Sequence, residues 1–171
     1  MSTADSDGQV CSLTESNGYG SGLIADGILL NNTLGEEELN PRGAFGLVPG
    51  SRCHSNMTPA VASGPKLCVA LGSPGADRIV GAITQTLIAL AVDGDSLAAA
   101  VARPRAHVQH RPDGQVLCFE PGLPATELGL PLDAYPEPHM FFGGVQAASV
   151  DTAGNVDAAH DPRRSGATAF V

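Results

Sequence analysis

Three short motifs in this chain carry groups suited to binding charge. The first, GSPGADR, starts at Gly72 and lies between a strand-like apolar run and a helical pattern. Backbone N–H groups at the start of a helix lack intrahelical partners and carry positive partial charge. Because glycine allows close approach, the N–H groups of Gly75 and Ala76 could bind an anion or a developing oxyanion. A simple strand-to-helix turn can have the same sequence. The motif alone therefore leaves open whether it binds an anion or only connects the two elements.

The other two motifs are polar loops. ILLNNTLGEEELNP, from Ile28 to Pro41, runs from apolar residues into two asparagines, and three glutamates follow a glycine. Such a run of charge is usually a solvated loop, and composition alone leaves it so. In SRCHSNM, Ser55 and Asn56 precede Met57. Their side chains could donate hydrogen bonds to a carboxylate, or they could cap the turn that follows.

Composition argues against several classes of function. The formal net charge of -9 argues against nucleic-acid binding, because phosphate is bound by Lys and Arg. No stretch is long or apolar enough to span a membrane, and the first residues lack the pattern of a signal peptide. The four cysteines are widely spaced and form no zinc-like cluster with histidine. We therefore predict no metal site and buried thiols, with a disulfide left open.

Hairpins with two helices between them must position these motifs. Asp-Gly pairs at 7–8, 26–27 and 113–114 predict tight turns, and the second leads into what we predict to be a buried strand. The other predicted elements are strands at 68–71, 106–110 and 115–120, helices at about 76–93 and 96–102, and a hairpin turning at 153–155. A long irregular loop is expected over 35–58. This order predicts one α+β layered domain over residues 1–171.

Several stretches together resemble one family. DSDG, SNGYGSG, GILLNN, GEEELNP, SRCHSNMTP, GSPGADRI, ARPRAHVQ and GGVQAASVDTAGNVDAAHDPRRSGAT follow the order found in the small, C-terminal subunit of γ-glutamyltranspeptidases. They cover nearly the whole chain, and GILLNN and GSPGxxRI are the specific ones. The resemblance implies an N-terminal-nucleophile hydrolase, in which two subunits cut from one precursor share a four-layer αββα sandwich.

The resemblance also implies an activity. In the family, a threonine freed by self-cleavage attacks the γ-glutamyl amide of a glutathione-like substrate, with its own α-amino group as base. Water or an amino-acid or peptide acceptor then resolves the acyl-enzyme. The implied partners are this substrate and the large subunit, which supplies an arginine for the substrate α-carboxylate. No cofactor is implied, and the family favours a periplasmic or secreted location.

Part of the site follows from the catalytic motifs of the family. The resemblance assigns the oxyanion hole to the backbone N–H groups of Gly75 and Ala76, although the second position is more often glycine. Ser16 would support the nucleophile and Asn17 would bind the substrate amino group. The loop that carries these two residues is shorter than in the best-known members, so both assignments depend on its register.

The substrate-binding residues follow in the same way. Thr33 and Glu36 stand where the family often has a glutamine and an acidic residue, so Glu36 would pair with the substrate α-ammonium group. Ser55 and Asn56 stand in place of a Ser-Ser pair that binds the α-carboxylate. The glutamates at 37–38 would face solvent. The resemblance thus predicts that the opening charge patch contains one ligand-binding carboxylate.

The start of the small subunit is where this chain differs most. The family pattern is T-T-H-x-S followed by a D-x-D-G turn. Aligning DSDG at 5–8 on that turn places Ser2 on the serine and Met1 on the variable position. The nucleophilic threonine would then lie about three residues upstream of Met1. We therefore expect a chain truncated just after its nucleophile, inactive alone and with an uncovered apolar interface.

Two alternatives stay open. The chain could be a non-catalytic γ-glutamyl or amino-acid binding module, or a structural remnant. Ser2 could instead become N-terminal after removal of Met1 and replace the threonine. The register argues against Ser2, because it is displaced from the nucleophile position by more than about 10 Å along an extended strand.

Overall fold

The structure is a computed structural model that describes residues 1–36, 39–40, 42–43, 46–124 and 129–171. Its strands are β1 (Ser2–Ala4), β2 (Val10–Ser12), β3 (Ile24–Ala25), β4 (Ile28–Leu29), β5 (Ala60–Ser63), β6 (Leu67–Gly72), β7 (Ala106–Arg111), β8 (Gly114–Phe119), β9 (Leu132–Ala134), β10 (Gln146–Asp151) and β11 (Val156–His160). The α-helices are α1 (Ile79–Ile88) and α2 (Leu97–Ala102). Helix α1 follows a 3₁₀ turn, Ala76–Arg78, and continues as a π-helical turn, Ala89–Asp93.

A four-stranded antiparallel sheet of order β11-β10-β6-β5 forms the centre of the layered part. Successive side chains of a strand point to opposite faces. Val69 and Leu71 of β6 therefore pack in the core cluster under α1 and α2. On the other face lies the hairpin β1–β2, whose Ser12 Oγ donates a hydrogen bond to the carbonyl of Leu71 at 2.9 Å. Ser2 Oγ donates to the carbonyl of Gln146 at 3.0 Å. The described residues thus stack a helical layer on two layers of strands.

A second sheet lies beside this sandwich. Strand β8 pairs with β7 in antiparallel and with β9 in parallel. Gln85 of α1 joins the two parts, because its side-chain Nε2 donates to the carbonyl of Ala106 and its Oε1 accepts from the N–H of Ala106, both at 3.0 Å. This sheet leads into the 3₁₀ turn Met140–Phe142, which comes directly before β10.

Four buried charged residues connect the ends of β7 and β8 to the segment after β11. Arg105 Nη1 lies 2.7 Å from Asp161 Oδ2, and Arg163 Nη1 donates to Asp161 Oδ1 at 3.0 Å. Arg163 Nε donates to Glu120 Oε1 at 2.7 Å. Main-chain N–H groups also donate hydrogen bonds to both carboxylates: Arg105 N donates to Glu120 at 2.8 Å, and Val145 N donates to Asp161 at 2.9 Å. We call these four residues the buried charge cluster.

The predicted turns and helices are confirmed, while two expectations about burial are wrong. Ser96 Oγ accepts from the N–H of Ala99 at 3.3 Å and so caps α2. The strand after Asp26-Gly27 is exposed, with Ile28 at 67% and Leu29 at 45%. It belongs to a short hairpin, and nothing in the described part of the chain covers it. An apolar run shows that a strand needs cover but not which chain provides it.

The cysteines give the second correction. All four are free, and only Cys118 is buried, whereas Cys11 is exposed and Cys53 and Cys68 are half-buried. Cys11 lies at the middle of β2, where alternation turns its side chain away from the central sheet while its neighbours turn inward.

Among the described helices, none is both long and apolar enough to cross a membrane.

Candidate functional site

A cavity of about 300 Å³ opens where hairpin β1–β2, the end of β6 and two polar loops meet. Seven of the eight residues singled out from the sequence line this cavity: Ser16, Thr33, Glu36, Ser55, Asn56, Gly75 and Ala76. The eighth, Asn17, is outside the lining, and its carbonyl accepts from the N–H groups of Gly20 and Asn32, both at 2.9 Å. The fold therefore brings together four segments that are far apart in sequence.

The turn after β6 has an unusual backbone. Gly75 has φ of 133°, and Ala76 has φ of 51°. A left-handed conformation is uncommon for a residue with a Cβ and costs roughly 1–2 kcal/mol, so Ala76 is a strained position. The 3₁₀ turn and α1 follow at once, which leaves the first N–H groups of the helical segment at the cavity. This is the geometry expected of an anion-binding turn.

A Gly-Gly pair before β10 allows this turn to form. A Cβ on Gly75 would lie 3.1 Å from the Cα of Gly143, and a Cβ on Gly143 would lie 2.7 Å from Ser73 Oγ. Ser73 Oγ also accepts from the N–H of Gly144 at 3.0 Å. The two backbones thus touch where neither tolerates a side chain. No role for Gly143 was predicted from the sequence, where the Gly-Gly pair in FFGGVQ was the only available signal.

Arg78 anchors the same turn from outside the cavity. Its Nε donates to the carbonyl of Phe141 at 3.2 Å, and its guanidinium lies 4.7 Å from the centroid of the Phe141 ring. It also pairs with Asp77. His107 Nε2 lies 3.6 Å from Asp77 Oδ2, and burial lowers the pKa of His107 more than the Asp77 charge raises it. His107 is therefore largely neutral at pH 7.

The opposite wall holds a carboxylate against a glycine. Glu36 follows the 3₁₀ turn Thr33–Gly35, and a Cβ on Gly18 would lie 2.6 Å from Glu36 Oε1. Gly18 also forms a parallel bridge with Asn32, and its N–H donates to Ser16 Oγ at 3.0 Å. With φ of 60°, Gly18 needs the left-handed conformation as well as the space. Glu36 was predicted from the sequence to lie at the site, whereas Gly18 was not.

The third wall consists of Ser55 and Asn56. Ser55 Oγ accepts from the N–H of Met57 at 3.2 Å, which is the turn-capping role left open from the sequence. The backbone carbonyl of Asn56 accepts a hydrogen bond from Thr58 Oγ1 at 2.9 Å, so the side-chain amide of Asn56 takes no part in that bond. Both residues line the cavity. Among the described residues that line it there is no Lys or Arg, and their ionisable side chains are the carboxylates of Glu15 and Glu36.

A family model described as Gamma-glutamyltranspeptidase matches residues 1–171, the whole chain. The chain belongs to the γ-glutamyltranspeptidase family. Curated relatives include the glutathione hydrolase proenzymes of Escherichia coli (strain K12), 31% identical over 180 residues, and of Bacillus subtilis (strain 168), 30% identical over 157 residues. The matches cover 95% and 87% of this chain but only 30% and 26% of those relatives.

Solved structures of the γ-glutamyltranspeptidase family share the fold. The γ-glutamyltranspeptidase of Pseudomonas nitroreducens complexed with L-DON superposes with a TM-score of 0.76 at 27% identity, over 99% of this chain and 97% of that chain. The Bacillus anthracis transpeptidase CapD gives a TM-score of 0.76 at 27% identity, over 100% of this chain and 98% of that chain. These likenesses confirm the N-terminal-nucleophile hydrolase sandwich that the sequence motifs predicted.

In this member of the family, the first strand starts at the cavity. The N–H of Leu13 donates to the carbonyl of Met1 at 2.9 Å, and the amino group of Met1 donates to the carbonyl of Leu13 at 2.8 Å. Met1 lines the cavity together with Thr14 and Glu15. The cavity thus combines a carboxylate for a cation, hydroxyl and amide donors for an anion, and a backbone turn suited to an oxyanion.

Proposed function

We propose that this chain forms the substrate-binding and oxyanion-binding part of a γ-glutamyl transferase or hydrolase that cleaves γ-glutamyl amides such as glutathione. One observation carries the proposal: seven residues assigned from the family motifs meet in one cavity of about 300 Å³. That volume is at the lower end of the range for small-molecule sites. The two relatives named above are glutathione hydrolase proenzymes, which supports the same substrate class.

The roles follow from the chemistry of each wall. The carboxylate of Glu36 pairs with the substrate α-ammonium group, and the Thr33 hydroxyl lies on the same wall. Ser55 and Asn56 donate to the α-carboxylate. The substrate would then present its γ-carbonyl to the turn after β6, whose N–H groups stabilise the negative charge of the tetrahedral intermediate. Ser16 supports the nucleophile, and the assignment of Asn17 to the amino group stays a prediction.

In this mechanism the nucleophile is a threonine ahead of β1. Residues that continue β1 in its antiparallel register run beside Thr14 and Glu15, which line the cavity. The α-amino group of the threonine accepts the hydroxyl proton while the hydroxyl oxygen attacks the γ-carbonyl carbon. The amide nitrogen leaves with that proton, and water or an acceptor amine then cleaves the ester. Ser2 is a poor substitute, because its hydroxyl is already bonded to the carbonyl of Gln146.

The proposal includes a large subunit that completes the site. The hairpin β3–β4 exposes Ile24 at 71% and Ile28 at 67%, and Leu23 beside it is 64% exposed. Isolated apolar side chains are common on surfaces, but a contiguous exposed patch marks an interface. The described lining residues also include no Lys or Arg side chain for the substrate α-carboxylate. A partner that supplies an arginine and covers this hairpin meets both requirements.

Glu36→Gln in the complete enzyme tests the function. Loss of one member of a desolvated charge pair costs on the order of 2–5 kcal/mol. We therefore expect kcat/KM for a γ-glutamyl anilide to fall by a factor that corresponds to a loss of transition-state stabilisation of that size. A donor without the α-amino group should lose little more, because the interaction is already missing. Asp113→Asn, on the distant β7–β8 turn, is the control. If both substitutions are equally mild for the anilide, the cavity does not bind the γ-glutamyl group through Glu36.

The same assay separates the enzyme from a binding module. A non-catalytic γ-glutamyl or amino-acid binder would retain the ligand and show the Glu36→Gln loss in affinity, measured by calorimetry, without turnover. A catalyst shows the loss in kcat/KM. Both activities use the same cavity, so turnover by the complete wild-type enzyme decides between them.

A further inference from the structure

We infer that Asn40 is a positioning residue that holds Glu36 in place and couples the two loops proposed to bind the substrate's charged groups. The inference rests on the proposed function. Asn40 is 5% exposed and therefore belongs to the interior of its loop, where a polar side chain needs hydrogen-bond partners. The sequence analysis gave it no role, because an Asn-Pro pair is an ordinary turn signal.

The side-chain amide of Asn40 closes the turn that carries Glu36. Its Nδ2 donates to the carbonyls of Thr33 at 3.2 Å, Leu34 at 3.1 Å and Glu36 at 3.1 Å. These carbonyls belong to the end of a 3₁₀ turn, where intrahelical donors run out. The amide has two N–H groups for three acceptors, so at least one bond is shared. A single side chain thus satisfies the end of the turn.

Backbone N–H groups donate to the same carbonyl of Glu36 as the Asn40 side chain. The N–H groups of Leu39 and Asn40 both donate to the carbonyl of Glu36 at 3.1 Å. Leu39 is 8% exposed and lines the cavity. The main chain of Glu36 is therefore fixed by its own turn and by Asn40, while its carboxylate lies against Gly18. Loss of the Asn40 amide frees the main chain and lets the carboxylate move.

The oxygen of the same side chain reaches the second loop. Asn40 Oδ1 accepts a weak hydrogen bond from Cys53 Sγ at 3.8 Å. Cys53 lies two residues before Ser55, which with Asn56 is the proposed α-carboxylate site. One buried amide therefore contacts both the loop proposed for the α-ammonium group and the loop proposed for the α-carboxylate. This spacing sets the distance at which an α-amino acid group fits.

Asn40→Ala and Asn40→Asp in the complete enzyme test the inference. Asp keeps the shape but replaces the donor with an acceptor. We expect KM for an α-amino donor to rise roughly tenfold, the factor expected from the net loss of one to two hydrogen bonds. We expect kcat to change less than about threefold, because the oxyanion turn is untouched. Asn155→Ala is the matched control: it removes a hydrogen bond of 2.8 Å from the side-chain amide to Asp151, in the distant β10–β11 turn.

A donor without the α-amino group distinguishes positioning from general damage. Folded Asn40 variants should alter its KM less than about twofold. The inference is overturned if KM for the α-amino donor is unchanged or if both donors lose equally. A wild-type enzyme that does not discriminate the two donors would instead contradict the proposed function. If Asn40→Ala does not accumulate, Asn40→Ser, which keeps one donor, decides by the same criterion: a KM rise confined to the α-amino donor supports positioning, and its absence overturns it.

Discussion

The buried charge cluster and the cavity both concentrate charge, but they satisfy it in different ways. Arg105, Glu120, Asp161 and Arg163 have side chains that are 0–2% exposed and neutralise one another. Their remaining donors and acceptors bond main-chain groups, such as the carbonyl of Val101 at 2.7 Å from Arg105 Nη2. In the cavity, Glu36 lies among lining residues that, within the described part of the chain, include no Lys or Arg. A charge that is fully paired inside the chain is structural, while one left without a cation is available to a ligand.

The two regions are linked through the segment between β9 and β10. Glu120 Oε1 accepts from the N–H of His139 at 2.8 Å, and Arg105 Nη1 donates to the carbonyl of Phe142 at 3.2 Å. The next residue, Gly143, contacts Gly75 of the oxyanion turn. The paired charges thus hold the backbone on which the turn rests, whereas no Lys or Arg among the described lining residues pairs with the cavity carboxylate. Each of the following predictions tests this division.

The largest effect is expected from Glu120→Gln. It leaves the Arg163 guanidinium buried without its full counter-charge, and breaking a buried pair in this way costs roughly 3–5 kcal/mol in the free energy of unfolding. Chemical denaturation of the complete enzyme measures the loss. Asp93→Asn is the control, because the Asp93–Arg103 pair is 40% and 45% exposed and should shift the midpoint little. Similar shifts in both variants would mean that the buried charge cluster is not structural.

Gly18→Ala should damage the cavity while leaving the cluster intact. The added Cβ would lie 2.6 Å from Glu36 Oε1 and 3.0 Å from the Asn32 carbonyl, so the carboxylate must move. We expect kcat/KM for an α-amino donor to fall by a factor that corresponds to a loss of roughly 1–3 kcal/mol in transition-state stabilisation. Gly20→Ala is the control: φ is 70° there, and no atom lies within 4 Å of the added Cβ, so it reproduces the backbone strain without the clash. Equal losses would assign the effect to strain alone.

Acid should weaken the buried charge cluster through the carboxylate of Asp161. Burial raises the pKa of Asp161, but the charge of Arg105, the N–H and charge of Arg163 and the N–H of Val145 together lower it below its usual range. A depressed folded-state pKa contributes stability that is complete above about pH 5 and is lost as pH falls through that pKa, below the unfolded value of about 3.9. Unfolding midpoints from pH 6 down to pH 3, against Asp161→Asn, measure this. Parallel curves for the two proteins would contradict it.

The smallest effect, of opposite sign, is expected from Ala76→Gly. Glycine removes a left-handed strain of about 1–2 kcal/mol at φ of 51° but adds freedom to the unfolded chain, so the net gain in stability should be about 1 kcal/mol or less. Ala98→Gly, in the exposed face of α2, should instead destabilise by about 0.5–1 kcal/mol. Thermal unfolding compares the two. Destabilisation by Ala76→Gly would show that the methyl group packs productively.

Local elements of this protein were readable from its sequence. The Asp-Gly turns, the Ser96 cap and the helical spacing after GSPG depend on dihedral preferences and periodicity within a few residues, and the structure has each of them. The family motifs also identified seven of the residues that line the cavity, because motif order along the chain does not depend on knowing the contacts. Turn chemistry and side-chain period are local properties.

Which distant residues touch was decided only by the tertiary structure. Gly18 against Glu36, Gly143 against Gly75 and the amide of Asn40 are close contacts that no local pattern encodes. Each depends on how two or more segments pack, and a Cβ or an unpaired amide becomes costly only after they meet. The exposure of Ile28 has the same origin, since burial requires a covering surface from another segment or chain. The sequence specified the groups available for chemistry, whereas packing determined their distances.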